Sequence, residues 1–301
     1  QRQMCIRDRA ATGVSTVVLE NVGESGDALA DAIRVAADGI DIVMATAVGY
    51  HDSLEDLATE FPEITFVQFG GTSRGADNLV AAGGRMYEAR YVTGMVAAHA
   101  SETGRLGFVA PAAVPEVVQE INAFALGAQA VDATVVVDVE MTGDWLDAEA
   151  EALAAQALLD RGADVVTSLQ HSASTATGEA AAAAGARWIS YGSDMRSLVP
   201  DSYLTAVEWN WTDVYVSVVN DRSDGELSAR TLAGSMRDGV VGVGSVAPSI
   251  GGPALAAVGE VNAELEAGTF DVFAGPILDA QGVEVVAAGQ VMSDDELRRQ
   301  E

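Results

Sequence analysis

The fold of this chain is constrained most by a regular alternation of short apolar runs with longer amphipathic segments. Runs such as Ile64–Phe69 and Arg105–Ala110 have the length and composition of buried strands. The segments between such runs place apolar residues at helical spacing, as Leu54, Leu57 and Phe61 do. Strands that alternate with helices in this way predict successive βαβ units and a mainly parallel sheet flanked by helices.

The alternation occurs twice along the chain, with a break near Pro111–Pro115. It predicts strands at Val14–Leu19, Ile40–Ala45, Ile64–Phe69, Asn78–Ala82, Arg105–Ala110, Thr134–Glu140, Asp164–Ser168, Trp188–Tyr191 and Tyr203–Val207. It predicts helices at Asp27–Ala37, His51–Phe61, Met86–Ser101, Val117–Val131, Asp147–Arg161, Ser174–Ala184 and Pro253–Ala267. A final hairpin is expected between Val272–Ile277 and Val283–Ala287. We therefore expect two similar α/β lobes, whose ligands bind beyond the carboxyl ends of the strands.

The charge and the cysteine content exclude several classes of protein. The chain has 45 acidic residues against 16 basic ones, all of them Arg, for a formal net charge of −29. Such a surface repels nucleic-acid phosphates and anionic lipid headgroups, so we expect no nucleic-acid partner. The single cysteine, Cys5, excludes an intrachain disulfide. No apolar run reaches the roughly 18 residues of a membrane helix.

The first residues differ from the rest of the chain. Gln1–Arg9 reads QRQMCIRDR and is basic, whereas the remaining sequence is acidic. We interpret this segment as a non-native artefact of sequencing read-through and exclude it from the predicted fold. No segment resembles a secretory signal.

Motifs typical of enzymes are scarce. The sequence contains no G-x-S-x-G element and no phosphate-binding glycine loop of standard spacing. The histidines His51, His99 and His171 stand in separate segments, whereas a zinc site needs three or four clustered ligands. We therefore expect no metal and no cofactor. A dispersed Ser-His-Asp arrangement remains open, so an α/β enzyme acting on a small polar metabolite stays as the alternative function.

Aromatic residues gather where predicted strands end, although they form only 6% of the chain. They are Tyr50, Phe69, Trp145, Tyr191, Trp209 and Trp211. Flat rings beside a few polar groups suit a flat heterocycle held by stacking. The alternative is ordinary core packing at the edges of the lobes. Asp194, which follows a strand, is either a helix cap or a hydrogen-bond acceptor for a ligand.

Several segments together are similar to one known family. They include GYHD, EFPEITFVQFGG, MYEARYVTGMVAA, GRLGFVAP, SYGSDM and TFDVFAGPILDAQG. Over nearly all of residues 12–297 the chain resembles the BMP (basic membrane protein) family of substrate-binding lipoproteins of ABC importers. The resemblance implies a two-lobed type I periplasmic-binding-protein fold. It also implies the capture of a purine nucleoside or nucleobase between the lobes, without chemical turnover.

The resemblance also implies ligand contacts at matching positions, namely Tyr50, Asn78, Trp145, Gln170, His171 and Asp194. Four positions depart from the family pattern: Ala148 replaces a Pro, Ser172 and Ala173 replace Thr-Asp, and Trp209 stands where relatives place a Lys. With the strand-end aromatics, the predicted ligand-binding set is Tyr50, Phe69, Asn78, Trp145, Gln170, His171, Asp194, Trp209 and Trp211.

The expected lobes are discontinuous. The first comprises residues 10–110 and about 209–245 and lacks the first strand of the family. The second comprises residues 111–208 and about 246–301 and ends before the last helix of the family. The resemblance further implies a monomer that delivers its ligand to ABC permease subunits, and an extracytoplasmic location, either periplasmic or lipid-anchored to the cell membrane.

Overall fold

The computed structural model describes nine stretches of the chain, which are residues 14–19, 22–23, 26–36, 39–46, 48–70, 76–170, 174–225, 231–279 and 281–299. Residues 1–9, set aside above, and the predicted ligand residue His171 lie outside the described residues. The chain divides into two units. The first unit comprises residues 1–84 and 210–234, and the second comprises residues 85–209 and 235–301.

The first unit contains a sheet of four parallel strands in the order β1-β2-β3-β9. The strands are β1 Ile42–Ala45, β2 Thr65–Phe69, β3 Leu79–Gly84 and β9 Thr231–Gly234. The helices are α1 Gly26–Ala36, α2 His51–Glu60 and α7 Thr212–Asp224, with a short 3-10 turn at Val48–Tyr50. Apolar residues of α1 and α2, including Ile33 and Leu54, pack with Phe66 of β2 in one buried cluster, so the helical spacing seen in the sequence marks the core-facing side.

The second unit contains a sheet of six strands in the order β10-β8-β7-β6-β4-β5, of which only the edge strand β10 is antiparallel. The strands are β4 Arg105–Ala110, β5 Val136–Met141, β6 Val165–Ser168, β7 Arg187–Gly192, β8 Tyr203–Trp209 and β10 Val241–Val243. The helices are α3 Met86–Ala100, α4 Pro115–Val131, α5 Ala148–Asp160, α6 Ala176–Ala184, α8 Gly252–Ala267 and α9 Asp294–Leu297. A 3-10 turn at Pro248–Ile250 and a small hairpin, β11 Ile277–Leu278 with β12 Glu284–Val286, complete it.

Helices α3 and α4 approach each other very closely because each presents a glycine at the contact. A Cβ atom on Gly127 would stand 1.9 Å from the Tyr91 carbonyl oxygen, and one on Gly94 would stand 2.1 Å from the Phe124 carbonyl oxygen. Backbone atoms of one helix therefore occupy the space that a side chain of the other would need. Strand β4, which lies between β6 and β5 and is buried almost throughout, has the continuous apolar run expected of a parallel strand covered on both faces.

Two expectations from the sequence differ from the structure. Val14–Leu19 was expected as a strand but lies outside every strand, with the side chains of Val17 and Leu19 exposed. A β-branched run forms a strand only where a neighbouring strand accepts its hydrogen bonds, and none of the described ladders includes it. Residues 85–110, expected in the first lobe, belong to the second unit because β4 pairs with both β5 and β6.

The region after residue 209 also differs from expectation. The sequence predicted neither α7 nor β9. The segment expected in the first lobe at residues 235–245 contributes β10, which pairs with β8 in the second unit. The final hairpin is shorter than expected, since residues 272–276 lie outside its two strands. The α/β class, with mainly parallel sheets flanked by helices, is confirmed.

Within the described ranges, no helix is long and apolar enough to cross a membrane. The same ranges contain no group of three or more His, Cys, Asp or Glu side chains placed to hold a metal ion.

Candidate functional site

Trp145 stands in the loop that follows β5 at the carboxyl edge of the second unit's sheet. Its side chain is 47% exposed, an unusual state for so large a ring. The loop continues the pairing of β5 with β4, since the Thr142 N–H donates to the Ala110 carbonyl at 2.8 Å and the Gly143 N–H to that of Pro111 at 2.9 Å. The loop is therefore a defined extension of the sheet that presents an aromatic ring to solvent.

Gln170, which follows β6, makes hydrogen bonds to this loop. It is only 3% exposed. In the amide orientation that satisfies both of its ends, Oε1 accepts from the Thr142 hydroxyl at 2.8 Å. Nε2 then donates to the carbonyl oxygens of Asp144 and Trp145 at 3.0 and 3.2 Å. The structure thus brings two predicted site residues together and gives Gln170 the role of holding the Trp145 backbone.

Helix α5 begins directly after this loop with a side-chain cap. The Asp147 carboxylate accepts from the backbone N–H groups of Glu149 and Ala150 at 3.0 and 2.9 Å. An N-cap aspartate satisfies N–H groups that have no partner within the helix. The cap and Gln170 hold the backbone of the loop at both ends, so the fold sets the position of the Trp145 backbone.

Asp194 follows β7 at the same edge of the sheet. One of its carboxylate oxygens accepts from the Arg196 backbone N–H at 2.9 Å, and the other lies 3.3 Å from an Nη atom of the same residue. That Nη atom also donates to the Ser245 carbonyl at 3.2 Å. The Asp194 side chain remains 41% exposed. It therefore shapes a turn from which no helix begins, and part of its carboxylate remains accessible to solvent.

A second carboxylate, Glu208, lies beside it on β8. Gly192 pairs with Glu208 across the β7–β8 ladder, which brings Glu208 to the segment that carries Asp194. Burial raises the pKa of Glu208, and the negative charge of Asp194 raises it further. Burial also raises the pKa of the Tyr203 hydroxyl. The guanidinium of Arg196 opposes the rise in the pKa of Glu208, so this edge combines carboxylate acceptors with one positive charge.

Trp209 is the last residue of β8 and is half-buried. Tyr191, the strand-end aromatic of β7, pairs with Val207, so its side chain and that of Trp209 leave the same face of the sheet. The carboxyl edge of this sheet therefore carries four of the predicted residues, namely Trp145, Gln170, Asp194 and Trp209.

The first unit carries its own aromatic cluster. Phe69, the last residue of β2, contacts Trp211 edge to face with ring centroids 4.9 Å apart, and it contacts Tyr215 at 5.0 Å. Phe69 is 5% exposed, whereas Trp211 is half-buried. Trp211 is thus the more accessible ring of the two predicted residues. Tyr215 was not predicted as a site residue from the sequence, because α7 was not predicted.

Two predicted ligand-binding residues of the first unit, Tyr50 and Asn78, make hydrogen bonds to backbone carbonyl groups of the fold. The Tyr50 hydroxyl donates to the Val22 carbonyl at 2.6 Å, and its ring belongs to the buried cluster. The Asn78 amide nitrogen contacts three carbonyl oxygens, those of Ala58, Phe61 and Ile64, at 3.0, 3.1 and 2.7 Å. These bonds satisfy carbonyl groups at the end of α2 and in the loop after it, so the Asn78 amide protons are occupied without a ligand.

A cavity of about 580 Å³ opens beside Asn78, lined also by Thr65 and Arg222. It lies at the amino ends of β2 and β3, whereas ligands of parallel sheets bind at the carboxyl ends. We therefore exclude it from the candidate site.

A buried ion pair that was not predicted from the sequence lies behind the carboxyl edge of the second unit's sheet. Arg90 of α3 is fully buried and donates to the Glu120 carboxylate of α4 at 2.8 Å. The sequence feature that could have predicted this ion pair is the single Arg in a largely apolar helix, in a chain that has few basic residues.

The carboxyl edge of the second unit's sheet carries an accessible aromatic ring and a partly exposed carboxylate, an arrangement typical of small-molecule sites in α/β folds. A solute-binding protein of an ABC transporter from Conexibacter woesei has the same fold, with a TM-score of 0.71 and 19% identity, over 89% of this chain and 91% of that one.

The chain belongs to the Bmp family, because the family model described as ABC transporter substrate-binding protein PnrA-like matches residues 6–251. The family resemblance drawn from the sequence is thus confirmed. The protein is a substrate-binding component of an ABC transporter, and members of the family are binding proteins rather than enzymes.

Two relatives extend this match. A purine-binding protein of Brucella abortus is 36% identical over 286 residues, which cover 94% of this chain and 80% of the relative. An ABC transporter protein of Haloferax volcanii, whose name proposes glucose as its ligand, is 30% identical over 83% of this chain and 63% of the relative.

Proposed function

We propose that this protein captures a purine nucleoside or a free purine base and delivers it unchanged to the permease subunits of an ABC importer. The observation that carries the proposal is the ring of Trp145, 47% exposed on a loop that Gln170 and the α5 cap hold in place. An exposed ring on a loop held in this way provides a flat apolar surface that a purine covers by stacking. The Brucella relative, named for purine binding, supports this ligand class.

The neighbouring groups supply the polar part of the recognition. Asp194 offers a partly exposed carboxylate to an exocyclic amine, a ring N–H or a ribose hydroxyl. Trp209 presents a second aromatic side chain at the same edge. Aromatic rings with a few directed polar groups are typical of sites for small heterocycles. In the first unit, Trp211 is the proposed aromatic contact, with Phe69 packed behind it.

The proposal extends to partners and location. The protein acts as a monomer outside the cytoplasm, free in the periplasm or anchored to the cell membrane by a lipid, and its macromolecular partner is the permease. The net charge of −29 supports the absence of a nucleic-acid partner. A lipid-anchored form should partition with membranes in cell fractionation, whereas the free form should stay in the supernatant.

Isothermal titration calorimetry against adenosine, guanosine, inosine, adenine, ribose and glucose tests the ligand class. We expect heat of binding with at least one purine, and the same compound recovered intact by chromatography. Binding of glucose or ribose without any purine would contradict the proposal and favour the sugar ligand indicated by the Haloferax relative. Conversion of any compound would instead favour the enzyme alternative.

A further inference from the structure

Glu151 of α5 is a carboxylate enclosed at the start of the next helix, and it is only 1% exposed. Its Oε1 accepts from the Thr177 hydroxyl at 2.7 Å and from the Thr177 backbone N–H at 3.4 Å. Its Oε2 accepts from the Ser174 hydroxyl. Thr177 lies in the first turn of α6, and Ser174 stands two residues before that helix begins. Three donors thus satisfy the carboxylate, as a buried charge requires.

These bonds replace a local cap of α6. Thr175, the N-cap residue, makes no side-chain hydrogen bond to the first turn, and its hydroxyl donates to the Glu179 carboxylate at 2.7 Å instead. The first backbone N–H groups of a helix lack partners within the helix, and a side chain at the N-cap position usually accepts from one of them. In α6 the acceptor belongs to α5. Capping by Glu151 therefore stabilises α6 only while α5 lies beside it.

Glu151 and Gln170 hold two neighbouring loops of the carboxyl edge together. The loop after β5 carries Trp145 and leads into α5, and the connection after β6 runs from Gln170 to Ser174. Gln170 bonds the start of that connection to the Asp144 and Trp145 carbonyls. Glu151 bonds its end to the first turn of α5. Release of either set of bonds would leave the other as a pivot, so both are needed to fix the two loops relative to each other.

A role in stability alone would not need this arrangement. A Ser, Thr, Asp or Asn at the N-cap position satisfies helix N–H groups from within the same segment. Burial of a carboxylate from a neighbouring helix is costly by comparison, because the charge is removed from water. A carboxylate that reaches from α5 to α6 adds what a local cap cannot, namely a link between the loops that precede the two helices.

We propose that Glu151 is a positioning residue for ligand binding, because it joins the first turns of α5 and α6 and, together with Gln170, sets the place of the loop that carries Trp145. This inference rests on the proposed function, in which Trp145 stacks on the ligand. Glu151 does not touch the ligand in this scheme, since its burial leaves almost no surface for such a contact.

Glu151→Ala in the full chain tests the link, with Glu149→Ala as the matched control. Glu149 lies in the same turn of α5, carries the same charge and is exposed. In Glu151→Ala the indole N–H resonance of Trp145, assigned with Trp145→Phe, should move in the ligand-free protein. Affinity for the purine bound best by the wild type should fall about two- to tenfold, because a displaced ring loses its stacking geometry but still covers the base. Glu149→Ala should change neither quantity.

Two further variants separate positioning from stability. Glu151→Gln should restore the Trp145 resonance and most of the affinity, because the amide keeps an oxygen for Thr177 and its N–H can donate to the Ser174 hydroxyl. Gly127→Ala, which should destabilise the same unit between α3 and α4, should lower the urea midpoint without moving the Trp145 resonance.

The double variant Glu151→Ala/Gln170→Ala tests whether the two residues act together. It should lose no more affinity than the more affected single variant, whereas independent contributions would multiply. Ser174→Ala removes one donor and leaves Thr177 bonded, so it supplies a milder variant if Glu151→Ala does not fold, and it should also move the Trp145 resonance.

Three results would overturn the positioning role. They are an unmoved Trp145 resonance in the folded variant, unchanged affinity although the resonance has moved, and losses that multiply in the double variant. If the wild type binds no purine, the proposed function fails, whereas the ligand-free resonance of Trp145 still decides the positioning step.

Discussion

Gly127→Ala should destabilise the second unit, because the new methyl group has no space between α3 and α4. The added Cβ would lie 1.9 Å from the Tyr91 carbonyl oxygen, whereas a carbon–oxygen contact normally needs roughly 3.3 Å. The helices must therefore separate locally by more than an ångström. Overpacking of this kind costs about 1–3 kcal/mol. The better helix propensity of Ala offsets about 0.5–1 kcal/mol of this.

The matched control is Gly259→Ala in α8, where no atom beyond the adjacent residues and the backbone of the same helix lies within 4 Å of the added Cβ. This variant gains helix propensity without a clash and should become more stable by about 0.5–1 kcal/mol. Urea titration followed by far-ultraviolet circular dichroism measures both variants against the wild type. The two midpoints should move in opposite directions. A Gly127→Ala midpoint equal to or above that of the wild type would refute the close backbone contact.

Three further predictions concern the carboxyl edge of the second unit. Trp145→Ala should weaken purine binding by roughly 10- to 100-fold, because about 100 Å² of ring surface loses its stacking partner. The control Leu146→Ala, in the same loop, should leave the affinity within twofold of the wild type. Equal losses of affinity in both variants, measured by calorimetry, would contradict the role of the ring. Asp194→Ala should weaken binding by roughly 10- to 150-fold and lower the melting temperature only slightly, and unchanged affinity would remove Asp194 from the site. Burial raises the pKa of Glu208 above its ordinary value of 4.5, so the folded state binds a proton on this carboxyl more tightly than the unfolded state does. The stability gained from this protonation is lost as pH rises through the folded-state pKa. Glu208→Gln should therefore raise the urea midpoint at pH 7 and lose this gain near pH 4, and a lower midpoint at pH 7 would contradict the reasoning.

The sequence was sufficient to predict most elements of secondary structure and the α/β class. The strand at Arg105–Ala110 has the predicted bounds, because a run that is apolar at nearly every position is stable only when buried on both faces. Helix α2 begins where predicted and ends one residue early, since its apolar spacing and Pro62 define it locally. Such features depend on neighbours along the chain, which a sequence displays directly.

Pairing between distant strands was not predictable in the same way. Val14–Leu19 has the composition of a strand but no pairing, whereas Thr231–Gly234 has weak strand character and pairs with β3. A strand is stabilised by hydrogen bonds to another segment, so its existence depends on a partner that local composition does not specify. The division between the units at residue 85 follows from the same cause, because β4 is held by β5 and β6.

The candidate site shows the same limit at the level of side chains. The sequence by itself determined which residues follow strands, and therefore that Trp145 and Asp194 stand at the carboxyl edge of a sheet. Only the tertiary structure decided that Tyr50 and Asn78 are bonded to carbonyl oxygens of the fold, and that Arg90 is buried behind the edge. Position along the chain is a local property, whereas burial and hydrogen-bond partners depend on segments that folding alone brings into contact.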